Sequence, residues 1–209
     1  MKPLFITVEG VEGAGKSSNI AFTEALLKRH GCDVVLTREP GGTPLGEELR
    51  ALLLGHRHDG MQDLTELLLM FAARAEHLHG KILPALEDGK WVICDRFTDA
   101  TYAYQGGGRQ LDTAAIATLE NLVQGKRRPD LTLLLDLPVE TGLARAALRS
   151  APDRFEKQKI DFFRRVREAY LAIAQREPQR VRVIDASLEL EQVQMQISQA
   201  LKPFVGGDC

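Results

Sequence analysis

Cysteine is scarce in this sequence, and the little there is follows no useful spacing. Cys32, Cys94 and Cys209 form no pair at metal-ligand distance along the chain, and an odd count without scaffold spacing suits a reducing cytoplasm. Cys94 stands inside an apolar run and reads as a small core residue. Long hydrophobic runs are missing too: the longest fall well short of a membrane span, so no membrane partner is expected. The start, "MKPLFITVEG", passes from a short apolar stretch straight into a glycine-rich loop and does not resemble a signal peptide. An excess of either charge is absent, with 27 Lys and Arg against 29 Asp and Glu and a net charge of −2. That balance argues against bulk nucleic-acid binding, so any phosphate chemistry must use locally placed arginines. There is no internal repeat or low-complexity segment. The Asn/Lys-x-x-Asp signature with which a guanine-binding switch protein holds its base is also absent.

What remains is an ordinary globular composition, 44% hydrophobic and 27% charged over 209 residues, long enough for one α/β domain with a sizeable core. Five short apolar runs read as buried strands: Leu4–Val8, Asp33–Thr37, Trp91–Asp95, Leu131–Asp136 and Val181–Asp185. The middle three in chain order lack polar/apolar alternation, as expected of a parallel sheet covered on both faces. Helical patterns fall at Ser17–His30, Leu64–Leu86, Thr113–Gln124, Val139–Leu148, Phe155–Arg176 and Leu188–Leu201. The alternation predicts right-handed crossovers and a three-layer α/β/α sandwich on a five-stranded parallel sheet. The Gly10–Ser17 phosphate-loop pattern after the first strand narrows this to the P-loop NTP hydrolase type. Two breaks interrupt it, "REPGGTPLG" (Arg38–Gly46) and "RSAPDRFE" (Arg149–Glu156). In an open sheet of this kind ligands bind beyond the carboxyl ends of the strands, so loops that follow strands are the places to look.

The first such loop is the most specific. "TVEGVEGAGKSS" (Thr7–Ser18) holds Gly10, four intervening residues, then Gly15-Lys16-Ser17, the phosphate-cradling pattern between an apolar strand and a helix. Gly10, Val11, Glu12, Gly13, Ala14, Gly15, Lys16, Ser17 and Ser18 are therefore the expected donor-nucleotide loop. Its glycines let backbone N–H groups turn toward an anion, Lys16 reaches the β- and γ-phosphates, and the Ser17 hydroxyl coordinates Mg²⁺. The helix N-terminus adds a field that favours negative charge. Glu12 is the odd member, an acid in a loop built to attract polyanions. In "WVICDRF", Asp95 ends an apolar strand; such an acid either helps hold Mg²⁺ or caps the next helix. Arg96 follows at once and can clamp a second phosphate bidentately, which suggests transfer between two phosphorylated molecules.

The segments "VEGVEGAGKSS", "REPGGTPLGEELR", "LLLMFAARAEH", "DRFTDATYAYQGGGR", "LLLDLPVETGLARA" and "RSAPDRFE" occur in one order from the N-terminus to about Glu156. Together they resemble the bacterial thymidylate kinases, nucleoside monophosphate kinases that pass the γ-phosphate of ATP to dTMP. The resemblance implies that Phe71 stacks on the thymine ring and Arg74 hydrogen-bonds its carbonyl edge. It implies that Thr101 and Gln105 contact the base, and that Tyr104 crowds the 2′ position of the sugar. Arg96 matches the arginine on the acceptor phosphate, with Arg38 and Arg50 nearby and Glu39 and Pro40 shaping the pocket. The Glu39-Pro40 bond is a candidate for cis, since such prolines sit in tight functional turns. Arg145 matches a position that flanks adenine.

The second break, within about residues 146–157, resembles the family's lid. Members with an acidic phosphate loop carry arginines there, and Arg149 and Arg154 place this sequence in that lid-arginine class, expected to stabilise the phosphoryl group in flight. By the same resemblance Glu12 accepts a hydrogen bond from the 3′-OH of dTMP, and the protein is a homodimer, in the cytoplasm that its cysteine usage suits. The apolar stretch Leu64–Leu86, richer in hydrophobic positions than one core face requires, suits such a dimer. Two departures are mild: Phe97 stands where many relatives have Tyr, and the loop ends Ser17-Ser18 where Thr is frequent. The alternatives to this reading are a deoxynucleoside kinase of related fold, which would need a base for a neutral hydroxyl, and a nucleotide-dependent switch that modifies no small molecule.

Overall fold

A computed structural model describes residues 2–55, 60–148 and 158–206. Five strands, β1 (Phe5–Glu9), β2 (Val34–Arg38), β3 (Trp91–Asp95), β4 (Leu131–Asp136) and β5 (Val181–Asp185), form one parallel sheet in the order β2-β3-β1-β4-β5. Apolar side chains leave the sheet on both faces. Ile6, Val8, Leu133 and Leu135 join one large core layer, while Phe5, Val92, Cys94 and Phe97 join another with Leu78 and Ile82. Helices cover both faces, giving the expected three layers.

Burial refines which strands are central. β1, β3 and β4 are buried almost throughout, whereas β2 is half-exposed, with Leu36 open to solvent, because it lies at the sheet edge. The unbroken apolar run in "DVVLT" reads as central and is not.

Helices α1 (Lys16–Arg29), α6 (Thr113–Gln124), α7 (Val139–Ala147), α8 (Ile160–Arg176) and α9 (Leu190–Val205) match the periodic stretches apart from their ends. Two regions differ. The break after β2 contains a helix of its own, α2 (Pro44–Leu54): Thr43 caps it by accepting from the Gly46 N–H at 3.1 Å, and Pro44 supplies a first-turn residue that needs no donor. The expected single helix Leu64–Leu86 is α3 (Asp63–His77), a π-helical turn (Leu78–Ile82) and α4 (Leu83–Glu87). Pro84 lacks the N–H a continuous helix would use there, and the wider turn precedes it.

After β3 a short helix, α5 (Thr98–Thr101), runs into a second π-helical turn (Tyr102–Gly108). This turn packs backbone-close against α8. A Cβ on Gly107 would lie 2.9 Å from the Arg165 carbonyl oxygen, and Arg165 donates to the Gly107 and Gly108 carbonyls at 3.3 and 2.8 Å. β1 sits where successive connections diverge to opposite sides of the sheet, so the loops after β1, β2 and β3 open onto one crevice at the carboxyl edge.

Candidate active site

That crevice is a cavity of about 340 Å³ lined by the phosphate loop, the loops after β2 and β3, α3 and the second π turn. Gly10 leaves β1 at φ 139°, and a Cβ there would meet the Leu135 carbonyl oxygen at 2.5 Å, so the curl of the loop against β4 requires glycine. Lys16 Nζ donates to the carbonyls of Gly10 and Val11 at 3.2 and 3.3 Å. Burial pushes the Lys16 ammonium down to about 8 and Arg96 adds to this, against the pull of Asp95, Glu12 and Glu9. Ser17 lines the cavity, while Ser18 is exposed and Val11 is buried beneath the loop.

Asp95 lines the cavity with Ser17, and its Oδ1 is buried without a hydrogen-bond partner among the described residues. It does not cap α5, whose N-cap residue is Phe97. An orphaned carboxylate oxygen beside a hydroxyl and a phosphate loop fits the oxygen-donor chemistry of Mg²⁺, which takes few protein ligands and completes its shell with water and phosphate. Among the described residues no group of three or more His, Cys, Asp or Glu is placed to hold a metal ion.

Arg96 adopts φ 68°, left-handed backbone that is unusual for a residue with a side chain. Two bonds hold it there: its own N–H donates to the Val8 carbonyl at 3.1 Å, and the next N–H, of Phe97, donates to Glu9 Oε1 at 2.7 Å. The guanidinium lies 4.8 Å from the Tyr104 ring centroid, donates to Glu12 Oε1 at 3.0 Å, and reaches the Tyr170 hydroxyl at 3.4 Å. Tyr104 donates to Glu12 at 2.7 Å and Tyr170 donates to Glu9 Oε2 at 2.7 Å. Burial raises the Glu9 carboxyl to about 8, with Asp99 adding, against Arg96, Tyr170 and the Phe97 N–H.

The far end of the cavity is built around Arg74, which is fully buried on α3. Its Nε donates to Glu39 Oε2 at 2.8 Å and its Nη2 to Thr101 Oγ1 at 2.9 Å; its Nη1 has no partner among the described residues. Glu39 in turn meets His77 Nδ1 at 3.0 Å, and His77 Nε2 meets Thr37 Oγ1 at 2.6 Å. The Glu39-Pro40 bond is cis. Arg50 donates to the Pro40 carbonyl at 2.8 Å, Arg38 donates to Glu47 at 2.9 Å, and burial depresses Arg50, helped by the charge of Arg38.

Of the residues expected from sequence, Glu12, Lys16, Ser17, Arg38, Glu39, Pro40, Arg50, Arg74, Asp95, Arg96, Thr101, Tyr104 and Gln105 all line this one cavity. Phe71 does not. Its ring lies 4.7 Å from the Arg74 guanidinium, but the side chain is buried with Leu67 and Ile116 against α6, and the cavity wall is Met70, one position earlier on the helix. Arg145 is also elsewhere, donating from α7 to the Ala186 carbonyl after β5 at 3.0 Å. Arg149 and Arg154 lie outside the described residues. Sequence reasoning missed Met70, Glu66, Glu9 and Tyr170. Only the helix residues left a legible signal: Glu66, Met70, Arg74 and His77 recur at helical spacing, three of them ionisable on a stripe otherwise apolar.

Three comparisons agree. The thymidylate kinase family model matches residues 8–197. Thymidylate kinases of Alkalilimnicola ehrlichii and of a Pseudomonas putida strain are 60% identical over 202 residues and 61% identical over 209 residues. Those matches cover 96% and 100% of this chain and 93% and 99% of the relatives. The crystal structure of thymidylate kinase from Ehrlichia chaffeensis superposes with a TM-score of 0.78 at 36% identity, covering 96% of this chain and 99% of that one. The chain belongs to the thymidylate kinase family.

Proposed function

We propose that the enzyme transfers the γ-phosphoryl group of ATP to dTMP, giving ADP and dTDP for dTTP synthesis, and that each end of the cavity serves one substrate. The observation that carries this is the joining of a phosphate loop and a buried, unpartnered arginine donor in a single cavity. At the donor end, the loop amides from Gly10 to Ser18 and Lys16 bind the ATP phosphates, and adenine extends past the cavity toward α7, where Arg145 flanks it. Arg149 and Arg154, outside the described residues, supply positive charge to the γ-phosphate. Ser17 and Asp95 hold Mg²⁺, which when bound neutralises charge on the phosphate oxygens.

At the acceptor end, Arg74 donates to a base carbonyl, Thr101, Gln105 and Met70 frame the ring, and Tyr104 crowds the 2′ carbon. Arg96, Arg38 and Arg50 take the acceptor phosphate, a dianion for the most part at neutral pH since its second pKa is about 6. No general base is then required, and catalysis rests on positioning and charge neutralisation. Glu12, fixed by Tyr104 and Arg96, accepts from the 3′-OH and keeps the sugar at the junction.

A second copy of the chain covers α2 and α3, which pack together and leave Leu45, Leu52, Leu64 and Leu68 exposed. The enzyme is placed in the cytoplasm on its cysteine usage; among the described residues no helix is long and apolar enough to cross a membrane. The reaction is tested by following ADP release with dTMP, thymidine or no acceptor. ADP and dTDP in equal amounts with dTMP alone is expected; faster turnover of thymidine, or release without acceptor, overturns the reading.

A further inference from the structure

Arg74 presents one hydrogen-bond donor to the acceptor base, and the identity of its neighbour decides what kind of base edge fits. That neighbour is Gln105, whose amide carries an acceptor oxygen at one end and a donor nitrogen at the other. Which end faces the cavity is not a property of Gln105 itself. Its Nε2 donates to Glu66 Oε1 at 2.8 Å, and Glu66 is fully buried in the first turn of α3. A carboxylate accepts and does not donate, so turning the amide over would set two acceptors against each other in a dry site. Glu66 cannot swing away to relieve that clash. Arg109 holds it with Nη2 at 3.2 Å from Oε2 and Nε at 3.4 Å from Oε1, and the Arg109 guanidinium is itself packed 5.2 Å from the Phe162 ring centroid.

We infer that Glu66 is a specificity-determining positioning residue, which fixes the Gln105 amide so that its oxygen, and not its nitrogen, faces the acceptor base. Gln105 lines the cavity, and with its Nε2 committed to Glu66 the Oε1 is the end of the amide left for a ligand. With Arg74 Nη1 it offers a donor next to an acceptor, and Arg74 is locked in turn by Glu39 and Thr101. The complement of that pair is a ring carbonyl beside a ring N–H, the 4-oxo, N3–H edge of thymine or uracil. Cytosine presents an amino group beside an unprotonated ring nitrogen, the reverse at both positions. Each mismatch leaves a buried group unpaired, the situation in which enzymes reach about 10⁴-fold discrimination without editing. Glu66 does this without touching the substrate.

The inference rests on the dTMP reading, and the test separates the two. Glu66→Gln is isosteric, but its own amide can offer Gln105 either an oxygen or a nitrogen, so both orientations of Gln105 become available. The measurement is kcat/KM for dTMP, dCMP and N3-methyl-dTMP, with KM for ATP, in wild type and E66Q. Wild type is expected to favour dTMP over dCMP by about 10⁴-fold. E66Q is expected to narrow the dTMP preference over both other nucleotides by about tenfold, through KM for the nucleotide, with KM for ATP unchanged. An equal loss for all three nucleotides, with the ratios kept, means that Glu66 only supports the fold and overturns the inference. Should E66Q not fold, the wild-type enzyme still decides. The Gln105 side-chain amide protons, identified by their loss in Gln105→Met, exchange slowly with solvent in the nucleotide-free enzyme if the nitrogen donates to the buried Glu66, and stay protected when dTMP binds. Fast exchange in the free enzyme overturns the inference. Failure of wild type to phosphorylate dTMP at all would instead sink the reaction assigned above.

Discussion

The two ends of the cavity are built by different means. The acceptor end is a network of side chains from distant parts of the chain: Glu39 follows β2, Arg74 and His77 ride on α3, and Thr101 belongs to α5. These groups are buried and hold one another, so the pocket has its shape before a nucleotide arrives. The donor end is mostly backbone. Its loop offers N–H groups, and Lys16 rests on two carbonyls of the same loop. A backbone cradle suits phosphates, which every nucleoside triphosphate shares, while a locked side-chain pocket suits a base that must be told from others. On the proposed assignment selectivity is concentrated on the acceptor, with Arg96 and Glu12 at the boundary.

Mutations at that boundary and on either side should behave accordingly. The largest effect is expected from Arg96→Ala, which on the proposed assignment removes the main cation facing the acceptor phosphate and should lower kcat by about 10³-fold in steady-state assays. Phe71→Ala should cost about 3 kcal/mol of stability in chemical denaturation, because the ring fills a core between α3 and α6. Met70→Ala, one residue away, should instead raise KM for dTMP with a smaller loss of stability. Glu12→Ala should raise KM for dTMP by about tenfold and leave KM for ATP near wild type, since its partners are on the acceptor side; equal effects on both substrates would move it to the donor end.

An effect on stability alone concerns Glu9, which lies under Arg96. Its carboxyl is raised from an ordinary 4.5 to about 8, so the native state binds the proton more tightly than the unfolded chain does. The stability it contributes is complete below pH 4.5 and declines as pH rises to about 8. Glu9→Gln should flatten that part of the stability-pH curve, measured by thermal melts across the same range.

Most of the frame was legible in the sequence because it is local. A strand, a glycine loop, Lys and Ser are contiguous, and so are "REPGG" and "DRF" after their strands. Local reading failed where another rule competed. The Gly-Gly-Thr-Pro run looks like a loop, although Thr43 and Pro44 are also a helix start, and α2 begins there. In "LLLMFAARAEH" the aromatic residue draws attention as a base platform, yet α6 claims the Phe71 face and leaves Met70 to the cavity. Some features had no local trace. Tyr170 meets Glu9 across 161 residues of chain, and only the packing of α8 against the second π turn brings it there.

The claim that the acceptor end is preformed is tested most directly by a crystal structure of the enzyme with dTMP bound and ATP absent. The account predicts that Arg74 keeps its bonds to Glu39 and Thr101 and that its free Nη1 meets a thymine carbonyl. It also predicts the base resting on Met70, with Phe71 still buried against Ile116. A thymine stacked on Phe71, or an Arg74 released from Glu39 to reach the base, would contradict it.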